Sequence, residues 1–376
     1  MFTQNSSLAA LILVASAWAQ APQPSASVKV DFPNDAPLAL VSGDWGESRT
    51  EARGGALLLD LHTSLSLRNV SQARIRGVAL LVQAQEVTPG GKASVTVPSL
   101  DIGPGDTFPV RIDLRLLRPV FASGALAEIT LDGVLFEDLS FYGPNRLNSR
   151  RAMTVWELEA QRDRRYFKSI LEAHGPEALR QEALATLARL SDRPQLDVQV
   201  IPRGRSTVST AQERSIQFAF LELPGAPLEP VSGMARVAAG EARAPRIRVV
   251  NRSTRPIRYF EIGWIIRDRQ GREFLAGSVP ASDSGLRLAP GASGEIAEGA
   301  ALRFARGAGQ PVEIDGMTGF VSQVEFADGS IWIPSRPALD TPHFRAVLAP
   351  SPEQQRLADL YRKKGLAALA AELKRP

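Results

Sequence analysis

From Arg258 to Ile266 the chain alternates with a period of two. Phe260, Ile262, Trp264 and Ile266 fall on one face, and Tyr259, Glu261, Gly263 and Ile265 on the other. Such a period marks a strand with one face in a core. An earlier segment behaves alike, with Val78, Leu80 and Val82 directed inward. The pattern predicts strands near 28–32, 37–41, 56–68, 75–86, 93–97, 107–114, 125–131 and 133–141. A second series follows near 196–201, 215–223, 245–250, 256–268, 273–279, 294–303, 319–327 and 330–334. Neither series is interrupted by a helical period, so sandwiches are expected, and a parallel sheet, which needs crossover helices, is not. Asp132-Gly133 and Asp328-Gly329 read as hairpin turns, because Gly tolerates the positive φ of a tight turn.

Helical periodicity lies outside these blocks. Residues 153–173 place Trp156, Ala160, Phe167, Ile170 and Leu171 near one face. Gly175 then ends that helix and Pro176 opens another, which carries Leu179, Ala183, Leu187 and Leu190. Pro352 opens a terminal helix bearing Leu357, Leu360 and Tyr361; the tail after Gly365 is rich in Ala and less amphipathic.

The chain also repeats itself. PLALVSGDWGESRTEAR at 37–53 and PLEPVSGMARVAAGEAR at 227–243 agree without a gap at Pro37/Pro227, Leu38/Leu228, Val41/Val231, Ser42/Ser232, Gly43/Gly233, Glu51/Glu241, Ala52/Ala242 and Arg53/Arg243. Further landmarks follow in one order. Asn69-Val70-Ser71 with Ile75-Arg76 matches Asn251-Arg252-Ser253 with Ile257-Arg258, and Pro104-Gly105 matches Pro290-Gly291. Next, 131–136 matches 327–332, and Arg165-Tyr166-Phe167-Lys168 matches Leu360-Tyr361-Arg362-Lys363. Repetition in order implies duplication.

With a strand ending in Asn251-Arg252-Ser253 and a long strand carrying Trp264 after it, the blocks resemble bacterial extracytoplasmic immunoglobulin-like modules. The resemblance implies a mainly β chain of two tandem Ig-like sandwiches, with Trp264 as the buried tryptophan of such folds. It implies a scaffold or adhesion role and brings no catalytic residues. The expected layout is a signal peptide over 1–19, a disordered spacer over 20–27 and a first sandwich over 28–145. A helical connector over 146–192, a second sandwich over 193–337, and a loop with a C-terminal helix over 338–376 complete it.

Export is read from the apolar run Leu8 to Ala17, too short to span a bilayer, followed by Ala17-Trp18-Ala19 and Gln20. The chain contains no Cys, so neither disulfides, a lipid-modified Cys nor a thiol nucleophile is available. The net charge is +4, but only six of 44 basic residues are Lys, and export removes most nucleic-acid partners. Nucleic acid is therefore not expected, nor is a membrane-spanning segment in the mature chain.

Catalytic motifs are missing. His62, His174 and His343 stand without partners at ligand or catalytic spacing, and Gly307-Ala308-Gly309 reads as a loop. No cofactor or metal is expected. Asn69 and Asn251 match a glycosylation acceptor, yet Asn and Ser at a strand end more often close a turn. Trp45 and Tyr259 are the candidates for stacking on a sugar. The stretch Arg146 to Lys168 is basic, and its Arg150, Arg151, Arg164 and Arg165 are candidates for an acidic partner or polymer, against the plainer reading of a solvated helix face. The expected function is an exported, non-enzymatic interaction protein that binds a protein partner or a cell-surface polymer. A carbohydrate-binding protein and a hydrolase with converging carboxylates are the alternatives.

Overall fold

The computed structural model describes residues 28–85, 90–120, 124–191, 196–201, 213–238, 240–280, 285–297, 301–306 and 310–374. The readings of 1–19, of 20–27 and of the Gly307–Gly309 loop lie outside the described residues. The chain is mainly β, with several sheets. Strands β1 to β9 are Val28–Asp31, Leu38–Asp44, Arg49–Arg53, Ala56–Asn69, Ile75–Gln83, Lys92–Val97, Thr107–Pro119, Ala127–Phe136 and Phe141–Tyr142. Helix α1 (Ser149–Ser191) follows. Strands β10 to β15 are Asp197–Ile201, Arg214–Gln217, Ala219–Phe220, Leu228–Ala238, Glu241–Asn251 and Ile257–Asp268. Strands β16 to β21 are Glu273–Pro280, Ser293–Ala297, Ala301–Arg306, Gln310–Pro311, Ile314–Phe326 and Ile331–Trp332. Helices α2 (Arg336–Leu339), α3 (Pro342–Val347) and α4 (Pro352–Leu373) close the chain.

Two compact units divide it. One comprises Met1–Ser71, Leu80–Val95 and Gly105–Leu131; the other comprises Gln72–Ala79, Thr96–Pro104 and Asp132–Pro376. In the smaller unit, β4 is the central strand: β2 and β3 share one of its edges and β7 takes the other, all antiparallel. Its alternation explains its placement. Leu59, Leu61, Leu65 and Leu67 are buried together with Phe108, Val110, Ile112 and Leu116 of β7. The opposite face carries Asp60, His62, Ser64 and Ser66 across from Arg115, Asp113, Arg111 and Pro109.

In the larger unit two sheets, β10-β18-β14-β13-β11 and β12-β20-β15-β16, enclose one core. Ile216, Phe218, Ile247, Val249 and Phe304 meet Phe260, Ile262, Trp264, Ile266 and Val324 there. Trp264 is buried, and Phe218 meets it edge-on at 4.8 Å between ring centroids. The second face of β15 is covered too: Ile265 and Phe320 pack with Phe344 and Val347 of α3. Helices on the outer face thus bury a strand whose alternation predicts one solvated side.

Some expectations are corrected. Asp132-Gly133 is no hairpin but lies inside β8. Asp132 is buried, its Oδ1 accepting from Leu147 N (3.2 Å) and its Oδ2 from Ser149 Oγ (2.6 Å), so the carboxylate caps the start of α1. A Cβ on Gly133 would lie 2.1 Å from the Phe141 ring, which is why a Gly stands there. The first block's turn comes at 136–140. Phe136 N donates to Ser140 O and Ser140 N to Asp138 Oδ1, matching Phe326 N to Ser330 O and Ser330 N to Asp328 Oδ1. The sequence pattern does not predict strands β3 and β13, and β1 with β8 and β12 with β20 pair in parallel.

Both long helices bend at a glycine, Gly175 (φ 80°, ψ −178°) and Gly365 (φ 82°, ψ 177°), a conformation essentially restricted to glycine. Aligning these bends sets Phe167 against Leu357, Leu179 against Leu369 and Ala183 against Leu373. All six share one core. The tetrapeptides at 165–168 and 360–363 are therefore out of step, and Leu369 and Leu373 make the Ala-rich tail part of that core.

Candidate functional site

The start of α1 is fixed by Asp132 and by Asn145, whose Oδ1 accepts from Arg150 N at 2.9 Å. Beyond it, Glu157, Gln161, Arg164, Arg165 and Lys168 recur at helical spacing and line one wall of a cleft of about 650 Å³. Arg74, Arg76, Ser99, Asp101 and Glu137 supply another wall, and Arg356 and Glu372 of α4 a third.

A chain of alternating charges runs through this cleft. Asp101 Oδ1 accepts from Arg74 at 3.0 Å and from Arg76 at 2.7 Å, and Arg76 also binds Glu137. Arg76 Nε lies 3.8 Å from Glu157 Oε1, which accepts from Arg164 at 2.5 Å. Arg164 reaches Glu353 (3.4 Å), which binds Arg356 (2.8 Å), and Arg356 binds Glu372 (2.9 Å). Glu157 is 2% and Glu353 1% exposed. Burial pushes the Glu157 carboxyl above its ordinary value, and Arg164 and Arg76 oppose that rise. Two buried atoms of the network have no hydrogen-bond partner among the described residues: Arg76 Nε and Glu157 Oε2. Arg165 and Lys168 are exposed and carry no carboxylate partner among those residues; Arg165 Nε donates only to Gln161 O (3.1 Å).

The other candidates lie elsewhere. Arg150 is exposed. Arg151 sits over the Tyr259 ring at 3.5 Å and binds Glu325 at 3.3 Å. Tyr259 is only 8% exposed, and its hydroxyl donates to Glu261 (2.7 Å), so its ring has no open face for a sugar. Burial, then the hydrogen bond to Glu261, raises its phenol. Trp45 is half-buried, its indole so close to Gly43 that a Cβ there would meet Cζ2 at 3.2 Å. Asn69 and Asn251 are fully buried, each Oδ1 accepting from the N and Oγ of Ser71 or Ser253, which is turn closure. Sequence reasoning missed Arg76, Glu157 and Arg356. The one hint was Ile-Arg after each corner, since Arg258, the counterpart of Arg76, also binds a buried glutamate, Glu325.

A second feature belongs to the smaller unit. Among the described strands β2 pairs only with β4, and a bulge at Val41 interrupts that pairing. Leu40 and Val41 of β2 and Val70 just past β4 are 41%, 48% and 51% exposed, and Leu40 and Val70 flank a groove of about 300 Å³ that Val30, Phe32 and Leu38 help to line.

Among the described residues no group of three or more His, Asp or Glu could hold a metal ion, and no helix is long and apolar enough to cross a membrane. No family model and no curated protein matches the chain.

Proposed function

We propose that this is an exported, non-enzymatic interaction protein. In this reading it is built from two tandem Ig-like modules, each followed by its own bent helix, and it binds a protein partner along the β2 edge. The observation that carries the reading is the apolar edge itself. Leu40 and Val41 lie exposed on β2, whose second edge pairs with no described strand, and Leu40 and Val70 flank a groove that Val30, Phe32 and Leu38 help to line. Exposed apolar patches of this kind accompany protein contacts, and an open strand edge accepts an added strand. Duplication is supported by backbone bonds that recur in both blocks: Val70 N to Pro37 O and Arg252 N to Pro227 O, Gly105 N to Asn69 O and Gly291 N to Asn251 O. The buried Trp264 between two sheets supports the Ig-like reading.

Crosslinking in the native envelope or medium tests it. The wild-type chain is expected to yield a discrete crosslinked protein that disappears with Leu40→Asp/Val70→Asp; the same adduct from both would overturn the reading. Secreted material should begin at Gln20, and an intact Met1 would count against export.

A further inference from the structure

We infer that the charged cleft beside α1 binds an acidic saccharide, a short run of uronic-acid units, with carboxylates on Arg165 and Lys168 and hydroxyls against the Arg76–Glu157 wall. This site is separate in chemistry from the β2 edge, and the inference does not rest on that edge binding anything.

Three observations lead there. First, Arg165 and Lys168 stand one helical turn apart with no carboxylate partner among the described residues, while Arg74, Arg76, Arg164 and Arg356 are each bound to acids. Such uncommitted cations at a cleft are suited to an incoming carboxylate, and their charge assists the hydrogen bonds they donate. Second, Glu157 and Arg76 both line the cleft, and Glu157 Oε2 and Arg76 Nε make no hydrogen bond among the described residues. Buried polar atoms left unpaired carry a desolvation cost that a ligand can relieve. One needs an acceptor and the other a donor. A hydroxyl is both, whereas a phosphate or carboxylate supplies acceptors alone. Third, the lining alternates in sign. Asp101, Glu137, Glu157 and Glu372 also face the space, so a dense polyanion such as polyphosphate would meet four carboxylates. Carboxylates spaced by neutral, hydroxyl-bearing atoms fit the alternation better. A volume of about 650 Å³ exceeds what one sugar ring fills, which points to an oligomer.

Calorimetric titration of the full chain tests this with trigalacturonate, monomeric galacturonate, maltotriose, hexaglutamate and polyphosphate. Trigalacturonate is expected to bind more tightly than the monomer, and maltotriose not detectably. Arg165→Glu/Lys168→Glu should weaken trigalacturonate at least tenfold, and Arg165→Gln/Lys168→Gln should weaken it less. Both pairs are exposed, so near-UV circular dichroism should match wild type. Glu157→Gln reports on the wall: it should alter trigalacturonate affinity and leave hexaglutamate unchanged. No binding of trigalacturonate, equal affinity for hexaglutamate or polyphosphate, or binding indifferent to the charge reversal would each overturn the inference. Leu40→Asp/Val70→Asp should bind trigalacturonate like wild type, so failure of the protein-partner reading leaves a distinct signature.

Discussion

The strands that begin Pro37-Leu38 and Pro227-Leu228 share a corner and a bulge, yet their edges differ. Leu38 pairs with Asn69 as Leu228 pairs with Asn251, and the extra residue is Val41 in one and Val231 in the other. In the larger unit β11 pairs with β13 from Met234 to Val237, Phe218 N donates to Gly233 O, and the rim carries a Glu229–Arg252 ion pair. In the smaller unit the matching rim positions are Ala39 and Val70, and no described strand pairs with β2 opposite β4. One backbone device therefore serves two surfaces. The corner fixes where the strand starts, and β11 covers on β13 an edge that no described strand covers on β2.

Four comparisons test how alike the two blocks are. The largest contrast is in the core: Trp264 and Val82 stand thirteen residues beyond their corner asparagines, and both are buried. Trp264→Ala should lose about 3–5 kcal/mol in urea unfolding, because the cavity left by an indole adds to its transfer term. Val82→Ala should lose clearly less; equal losses would mean that the aromatic brings no additional packing.

The corners should behave as equals. Asn251→Ala breaks bonds from Nδ2 to Arg255 O (2.8 Å) and Leu288 O (2.9 Å) as well as those accepted from Ser253. Leaving such groups unsatisfied costs about 1–3 kcal/mol, and Asn69→Ala should fall in the same range. A much smaller loss at Asn69 would separate the two.

A finer contrast lies in the matched turns, where Leu139 (φ 66°) holds the position that Gly329 (φ 84°) holds in the second block. Gly329→Leu should cost about 1 kcal/mol, since the left-handed region disfavours a Cβ. Leu139→Gly should recover a smaller amount, because added unfolded-state freedom offsets part of the relief. Thermal melts of the two variants should shift in opposite directions.

The smallest effect concerns the outer face of β4, which has no counterpart in the second block. His62 Nδ1 contacts Asp113 at 2.9 Å and Nε2 lies 3.4 Å from Asp60. The hydrogen bond to Asp113, with both charges nearby, raises the imidazole above its ordinary value against some desolvation. A raised folded-state value means the contribution is fully present below the unfolded-state value and is lost as pH climbs through the folded one. Proton NMR should show His62 titrating above an unperturbed histidine, and Asp113→Asn should bring it down. An unchanged midpoint would show that Asp113 does not hold the proton.

The fold was legible where one period ruled a whole element. β15 could be placed because aromatic and aliphatic residues alternate along it, and α1 because Gly175-Pro176 marks its bend. β3 and β13 were hidden: Arg49–Arg53 holds Ala52 as its one apolar residue, and the bulge at Val231 breaks the alternation of β13. Asp132-Gly133 misled because the same dipeptide serves a turn or a helix cap, and only the position of Ser149 separates the two. The cleft was half legible. The basic stretch named Arg164 and Arg165, but Arg164 meets Glu353 across 189 residues of sequence, and local pattern carries no trace of such a pairing.

The matched corners also bear on how the chain reaches its structure. Segments 37–43 and 227–233 present nearly the same pairing edge to β4 and β14, with the same register at Leu38–Asn69 and Leu228–Asn251. During folding, either segment would meet a matching register on the other's partner. Neighbouring repeats of similar sequence are prone to such strand exchange and domain swapping. The divergent rims oppose it: Glu229 placed opposite Val70 gives up its arginine, and Arg252 facing Ala39 gives up its glutamate. Exchange of the two segments would therefore separate the Glu229–Arg252 pair, a small bias toward each strand staying beside its own partner.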